Sequence, residues 1–162
     1  MKQSQPKEFK VKYSHRKATP IIEKLGARFY RREVLKDFYL VNGSKDIYKF
    51  SMVGKEIKLV HLVSSGSGFD VEFARSVDLK TQKALSLLFG KNRGAMVKDR
   101  SRYRWKKSEI VLDTIAGLGE FIELYPVNEK DKNLLFDALG IKSSNLITRN
   151  YFLLKQNRDS LK

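Results

Sequence analysis

Charged and apolar side chains alternate along several short stretches of this chain. Lys98, Arg100, Arg102 and Arg104 fall on every second position, with Val97, Tyr103 and Trp105 on the opposite parity. Glu8, Lys10 and Lys12 alternate with Phe9, Val11 and Tyr13, and Glu123 stands between Ile122 and Leu124. Glu109 and Asp113 share one parity, with Ile110 and Leu112 on the other. Period two marks a β-strand, whose successive side chains point to opposite faces. Each charged set therefore shares one face. Such faces can look outward into water, the usual place of Lys and Arg, or they can line the lumen of a barrel. A lumen mixing Lys, Arg and Glu would suit a metal-bound polyphosphate. Arginine offers paired N–H donors to phosphate oxygens, lysine a mobile point charge, and carboxylates are hard ligands for Mg²⁺. Alternation alone is compatible with both arrangements.

Other chemistries are excluded or poorly supplied. The 162 residues contain no Cys, so there is no disulfide, thiol nucleophile or thiolate-held metal. The two histidines, His15 and His61, have no nucleophile paired with them in the sequence. Lys+Arg is 33 against 18 Asp+Glu, a net charge of +15, while 41% of residues are hydrophobic. That is globular composition carrying an excess of positive charge, which predicts an anionic partner. Nucleic acid, a polyphosphate and an acidic membrane all qualify. Met1–Lys17 has no apolar leader, and no apolar run approaches the roughly 20 residues of a transmembrane helix. The expectation is one cytoplasmic domain over residues 1–162 with no membrane partner.

The elements that must position these residues follow from pattern. Strands are expected at 8–13, 34–41, 46–53, 55–63, 69–77, 95–105, 109–114 and 119–125. Turn signals lie at Asn42-Gly43, Val53-Gly54 and Gly117-Leu118-Gly119, and the last lacks the Lys and helix of a phosphate-cradling P-loop. Thr19-Pro20 reads as an N-cap with Pro at the first helical position, before Ile21, Ile22 and Leu25. Asp78 caps a second helix ending at Gly90, and Asn128 caps a third over 130–139. A last helix is expected over 149–157. This is a mainly β chain with few helices, an antiparallel barrel or sandwich.

Several of these stretches resemble CYTH domains, the superfamily of class IV adenylyl cyclases and thiamine triphosphatases. Glu8-Phe9-Lys10-Val11-Lys12-Tyr13 is similar to the signature E-x-E-x-K-F, and Lys98 through Tyr103 to K-x-R-x-x-Y. Leu112 through Glu123 resembles, without a gap, the L-D-x-V-x-G-L-G-x-F-x-E run of the cyclase-like branch. Leu25-Gly26-Ala27 with Asp37-Phe38-Tyr39, and Leu139-Gly140-Ile141 with Asn150 through Leu154, resemble further family stretches in the right order. The resemblance implies a triphosphate tunnel: an eight-stranded antiparallel barrel with flanking helices and a charged lumen. It implies a nucleoside triphosphate or other triphosphate compound as ligand, and Mg²⁺ or Mn²⁺ as cofactor. Hydrolysis and adenylyl cyclisation both fit. By position, Lys10, Lys12, Lys49, Lys98 and Arg100 would bind phosphate, Lys12 also serving catalysis. Glu8, Glu123 and, less directly, Glu72 would hold the metal.

Two departures bear on that assignment. Lys10 stands where the family has a glutamate, and Tyr125 where it has a second carboxylate. Ser51 replaces a basic residue beside Lys49, and His61 aligns with another basic position. An ammonium about 4 Å from a divalent ion repels it by roughly 8 kcal/mol at an effective dielectric near 20. The alternative to an enzyme is thus a polyanion binder (polyphosphate, nucleotide or RNA 5′ end) in which Lys10 takes the metal's electrostatic place. Nucleic acid bound on the outer surface ranks behind both, and the sequence leaves open whether the chain is a monomer or a dimer.

Overall fold

Short turns join the later strands, and their backbone dictates which residues fill them. Lys106 adopts φ +53° between β6 (Ala95–Trp105) and β7 (Ser108–Ile115), and Gly117 and Gly119 lie at φ +79° and +105° before β8 (Gly119–Tyr125). The computed structural model describes residues 7–42, 46–89 and 95–159. The expected turn at Asn42-Gly43 and the helix stop at Gly90 lie at or beyond the edge of the described residues. The earlier strands are β1 (Lys7–Lys12), β2 (Arg28–Asn42), β3 (Asp46–Val53), β4 (Glu56–Ser64) and β5 (Phe69–Ser76). They close into an antiparallel barrel in the order β1-β5-β4-β3-β2-β6-β7-β8. The eight-stranded barrel with flanking helices is the architecture expected.

Closure depends on the short β1–β5 pairing, Lys7 opposite Asp70 and Glu8 opposite Phe69. Gly68 makes it feasible, because a Cβ there would lie 2.3 Å from the Glu8 carbonyl oxygen. β2 is longer than expected. It starts at Arg28 and pairs with β6 from Arg28 to Phe38, but a bulge at Tyr30 breaks the alternation that would have revealed it.

The helices are α1 (His15–Lys24), α2 (Leu79–Leu88), α3 (Glu129–Leu139) and α4 (Tyr151–Asp159), with one 3₁₀ turn at Ser143–Asn145. Asp78 and Asn128 cap α2 and α3 as expected, accepting from the Thr81 and Asp131 amides at 2.7 and 2.8 Å. α1 starts a turn earlier than expected, after Ser14, so Pro20 lies inside it. The Thr19 hydroxyl consequently donates back to the His15 carbonyl at 2.9 Å in place of capping the helix. Among the described residues no helix is long and apolar enough to cross a membrane.

The helices decide which strand face is inside. α1 and α3 bury Ala18, Ile22, Leu135 and Leu139 against Phe9, Val11, Tyr103, Trp105, Ile110, Leu112, Ile122 and Leu124. The Trp105 indole N–H donates to the Leu25 carbonyl at 2.9 Å, and the Tyr13 hydroxyl to the Leu139 carbonyl at 2.9 Å. The apolar parity of β1, β6, β7 and β8 is therefore the outer face, covered by helices. The charged parity is the lumen. At one end of the lumen, Tyr151 and Phe152 of α4 pack with Tyr39, Phe69, Met96 and Phe121.

Truncating the buried helix contact tests this packing. Leu135→Ala, at a fully buried position, is expected to lower unfolding stability by about 2–5 kcal/mol. Leu134→Ala on the exposed side should stay within about 0.5 kcal/mol, both read by denaturant unfolding.

Candidate functional site

Strand parity delivers Glu8 and Lys10 from β1, Glu33 and Asp37 from β2, and Lys49 and Ser51 from β3. β6 adds Lys98, Arg100 and Arg102, β7 Glu109 and Asp113, and β8 Glu123 and Tyr125. Register then sets partners, with Lys10 opposite Glu123, and Arg100 opposite both Asp113 and Glu33. Cross-strand neighbours of opposite charge attract, and here they are mostly buried.

Three linked groups result. Lys10 Nζ lies 3.0 Å from Glu8 Oε1 and 3.7 Å from Glu123 Oε1. The Tyr125 hydroxyl lies 2.8 Å from Glu8 Oε2 and 2.8 Å from Glu123 Oε2, its single proton bridging them. Arg100 makes a two-point contact with Asp113, at 2.7 and 2.6 Å, and reaches Glu123 at 2.7 Å. Lys49 and Lys98 donate to one oxygen of Asp37, at 2.7 and 2.8 Å, and Ser51 donates to the other. Nearer the open end, Arg31 and Arg102 each contact Glu33 at 2.6 Å, and Arg102 reaches Glu109 at 3.1 Å.

These contacts set the protonation states. Burial pushes the Asp37 carboxyl up, but the ammonium groups of Lys49 and Lys98 outweigh it and hold it far below the ordinary range. Glu123 is likewise penalised by burial and held well below its usual value by Arg100, Lys98, Lys10 and Lys49. Lys98 and Arg100 are raised above theirs, their burial being overcome by Asp37 and Glu123 for the first and Asp113 and Glu123 for the second. Burial and then the Glu123 and Glu8 carboxylates keep Tyr125 protonated. Asp37, Glu123, Lys98 and Arg100 are thus held in their charged forms, and Tyr125 in its neutral one.

The lumen is consequently not a reservoir of unbalanced positive charge. Its buried bases are Lys10, Lys98 and Arg100, against buried Glu8, Glu33, Asp37, Asp113 and Glu123. Among the described residues the buried lumen groups therefore contribute nothing to the +15 net charge.

A cavity of about 430 Å³ opens at the end away from α4. Arg31, Lys49, Lys58, Arg100 and Arg102 line it together with Glu8, Glu33, Glu56 and Glu109, and Tyr30 and Tyr125 stand at its wall. Of the residues expected to bind phosphate, Lys49 and Arg100 face this space. Lys10 and Lys98 are deeper, with Nζ 4.1 and 4.5 Å from the Tyr151 ring centre. Lys12 is exposed near Gly119 and does not line the cavity, nor does exposed Glu72. His61 stacks on Tyr48 at 4.1 Å and contacts Asp46 at 2.9 Å, also off the lining. Asp37, Glu33 and Tyr151 are lumen residues that no spacing argument singled out. For Glu33 and Asp37 the signal was a pair of carboxylates sharing the parity of Leu35 and Tyr39, beyond the bulge; Tyr151 lies on α4 and carries no strand signal.

A divalent metal does not fit this donor set. Among the described residues no group of three or more His, Asp or Glu is gathered to hold one. Glu8 and Glu123, the carboxylates expected to do so, are engaged by Lys10, Arg100 and the Tyr125 hydroxyl.

No family model matches the chain, and no curated protein matches it. Solved structures do. The PH1012 protein of Pyrococcus horikoshii superposes with a TM-score of 0.77 at 19% identity, over 90% of this chain and 96% of that one. A candidate adenylate cyclase from Vibrio parahaemolyticus gives 0.70 at 14% identity, over 94% and 99%. HpAC1 of Hippeastrum, a candidate adenylyl cyclase described as having a dominant triphosphatase activity, gives 0.65 at 12% identity, over 94% and 95%. At these identities the likeness is one of fold, and the barrel implied by the CYTH resemblance is the barrel these proteins share.

The ion pairs predict an acid limb of stability. A carboxyl whose folded pKa is depressed contributes stability above its unfolded pKa and loses it as pH falls toward the folded value. Asp37 and Glu123 should therefore make unfolding stability fall steadily once pH drops below about 4. Asp37→Asn should cost about 3–5 kcal/mol at pH 7 by stranding Lys98, and should flatten that limb in pH-dependent denaturation.

Proposed function

We propose that this chain is a triphosphate-tunnel barrel that binds a triphosphate-bearing small molecule through the arginines and lysines of its open end, and that the Lys10 ammonium replaces the metal ion the resemblance implies. The observation carrying this reading is the position of Lys10, 3.0 Å from Glu8 and 3.7 Å from Glu123. An ammonium held between two carboxylates satisfies them electrostatically and leaves no coordination position for a phosphate oxygen.

The cavity supports the ligand class. Its volume of about 430 Å³ falls in the range of small-molecule sites. A guanidinium has five N–H donors. Arg31 spends Nε on Glu33, and Arg102 spends Nε and Nη1 on Glu33 and Glu109. The remaining guanidinium N–H groups offer phosphate oxygens planar paired donors, and Lys58, which contacts Glu56 at 3.2 Å, adds a point charge. The neighbouring carboxylates keep these side chains extended and preordered before a ligand arrives.

The chemistry follows from the same residues. Attack of water on a terminal phosphate and attack of a ribose 3′-oxygen on an α-phosphate both need charge offset in the transition state. Lys10 supplies one fixed positive charge deep in the lumen, already neutralised by its partners. Binding without fast turnover is the outcome this arrangement favours, and the fold of a structure described as a triphosphatase supports the ligand more than the reaction.

Calorimetry with ATP and inorganic triphosphate, in Mg²⁺ and in EDTA, tests the reading alongside assays for phosphate, pyrophosphate and cyclic AMP. Binding should persist in EDTA and weaken about tenfold or more in Arg102→Ala, the scale of one lost charged hydrogen bond. Products should stay near background in the native protein and rise with Mg²⁺ in Lys10→Glu. Rapid Mg²⁺-dependent turnover by the native protein would sink the proposal.

A further inference from the structure

β2 and β6 are the longest strands, and their ladder continues past the mouth of the cavity. Beyond the Arg31–Arg102 pair the bulge at Tyr30 intervenes, and then Arg28 stands opposite Arg104. The extra residue restores parity, so Arg28 and Arg104 lie on the face that carries Arg31, Arg102, Glu33 and Arg100. Tyr30 lines the cavity wall and is 45% exposed. Its hydroxyl donates to Glu109, and its ring centre lies 5.4 Å from the Arg104 guanidinium.

The contrast with the lumen is informative. Within the lumen, each of Lys10, Lys49, Lys98, Arg100 and Arg102 contacts a carboxylate. Arg28 and Arg104 form no ion pair among the described residues, although they face each other across adjacent strands; Glu109, opposite Arg104 on β7, is engaged by Arg102 and the Tyr30 hydroxyl. Directly opposed like charges destabilise a sheet. Exposed Lys24 and Lys107 lie just outside the two strands in sequence and also lack a carboxylate partner among the described residues. Two arginines outside any ion pair among the described residues are therefore gathered beside an accessible aromatic ring, just where the tunnel opens, with Glu109 the carboxylate nearest to hand.

We propose that this ledge binds single-stranded nucleic acid, with Arg28 and Arg104 on backbone phosphates and a base stacked on Tyr30. Opposed unpaired arginines are complementary to a run of phosphates, whose arrival removes their mutual repulsion. An accessible ring flanked by cations is the arrangement that holds unpaired bases regardless of sequence, because every base presents a stacking face. A duplex hides those faces and gains only the electrostatic part. The proposal stands on the ledge and is separate from triphosphate binding in the tunnel.

Fluorescence anisotropy with the full-length protein tests it, using a labelled oligouridylate of about 12 nucleotides with a 5′-hydroxyl end and a duplex of equal length. The single strand should bind more tightly than the duplex and weaken between about 50 and 200 mM KCl, as phosphate contacts do. Arg28→Glu can pair with Arg104, so it should fold normally while losing about tenfold or more in affinity. Lys80→Glu on exposed α2 makes the same charge change and should lose less than about threefold. Tyr30→Leu should lose about fivefold or more, the low end of one base stack. The idea is overturned by any of three results: no binding at about 50 mM KCl, equal losses in Arg28→Glu and Lys80→Glu, or tighter binding of the duplex. Binding to phosphatidylserine vesicles with none to the oligonucleotide would overturn it equally.

Discussion

The Lys10–Glu8–Glu123–Arg100 cluster is the contact on which the interior depends. Removing a carboxylate or an ammonium from water costs several kcal/mol per ion, recovered only when partners and hydrogen bonds are well placed. β1, β2, β3, β6, β7 and β8 bring charged side chains into this lumen, so each must arrive with its complement. Glu123 meets Lys10, Arg100 and Tyr125 together, and Asp37 meets Lys49, Lys98 and Ser51. The interior behaves as a set of matched ions. Its geometry therefore constrains both stability and what a ligand can displace.

That constraint shapes function. A lumen whose cations were unpaired would draw in any polyanion. In this one an incoming phosphate must share arginines that carboxylates already hold, and Arg31 and Arg102 at the open end present N–H groups not spent on those carboxylates. The deep end is closed by α4, whose Tyr151 ring lies against Lys10 and Lys98. Charge that can attract a partner at long range lies on the outer surface and at the rim, where Arg28 and Arg104 stand unpaired.

The alternation of Lys98, Arg100 and Arg102, the matching run from Leu112 to Glu123, and the caps at Asp78 and Asn128 were legible as sequence, because strand parity and helix capping are local. So was the replacement of two expected carboxylates by Lys10 and Tyr125. The first half of β2 was not. Its bulge at Tyr30 shifts the parity, and Arg28 to Arg32 then read as an irregular basic stretch. The start of α1 was also misplaced, since Thr19-Pro20 imitates a cap while Ser14 holds the position.

Sequence by itself determined which residues share a face and that those faces mix positive and negative charges. It could not determine which face is inside, because period two is the same pattern whether a strand's polar side meets water or a lumen. Tertiary structure decided that when α1 and α3 covered the Tyr103, Trp105 and Ile122 side of the barrel and left the charges to one another. It also decided the pairing itself. Lys10 meets Glu123 across a strand boundary set by register over 113 positions of chain, and no local pattern encodes so distant a contact.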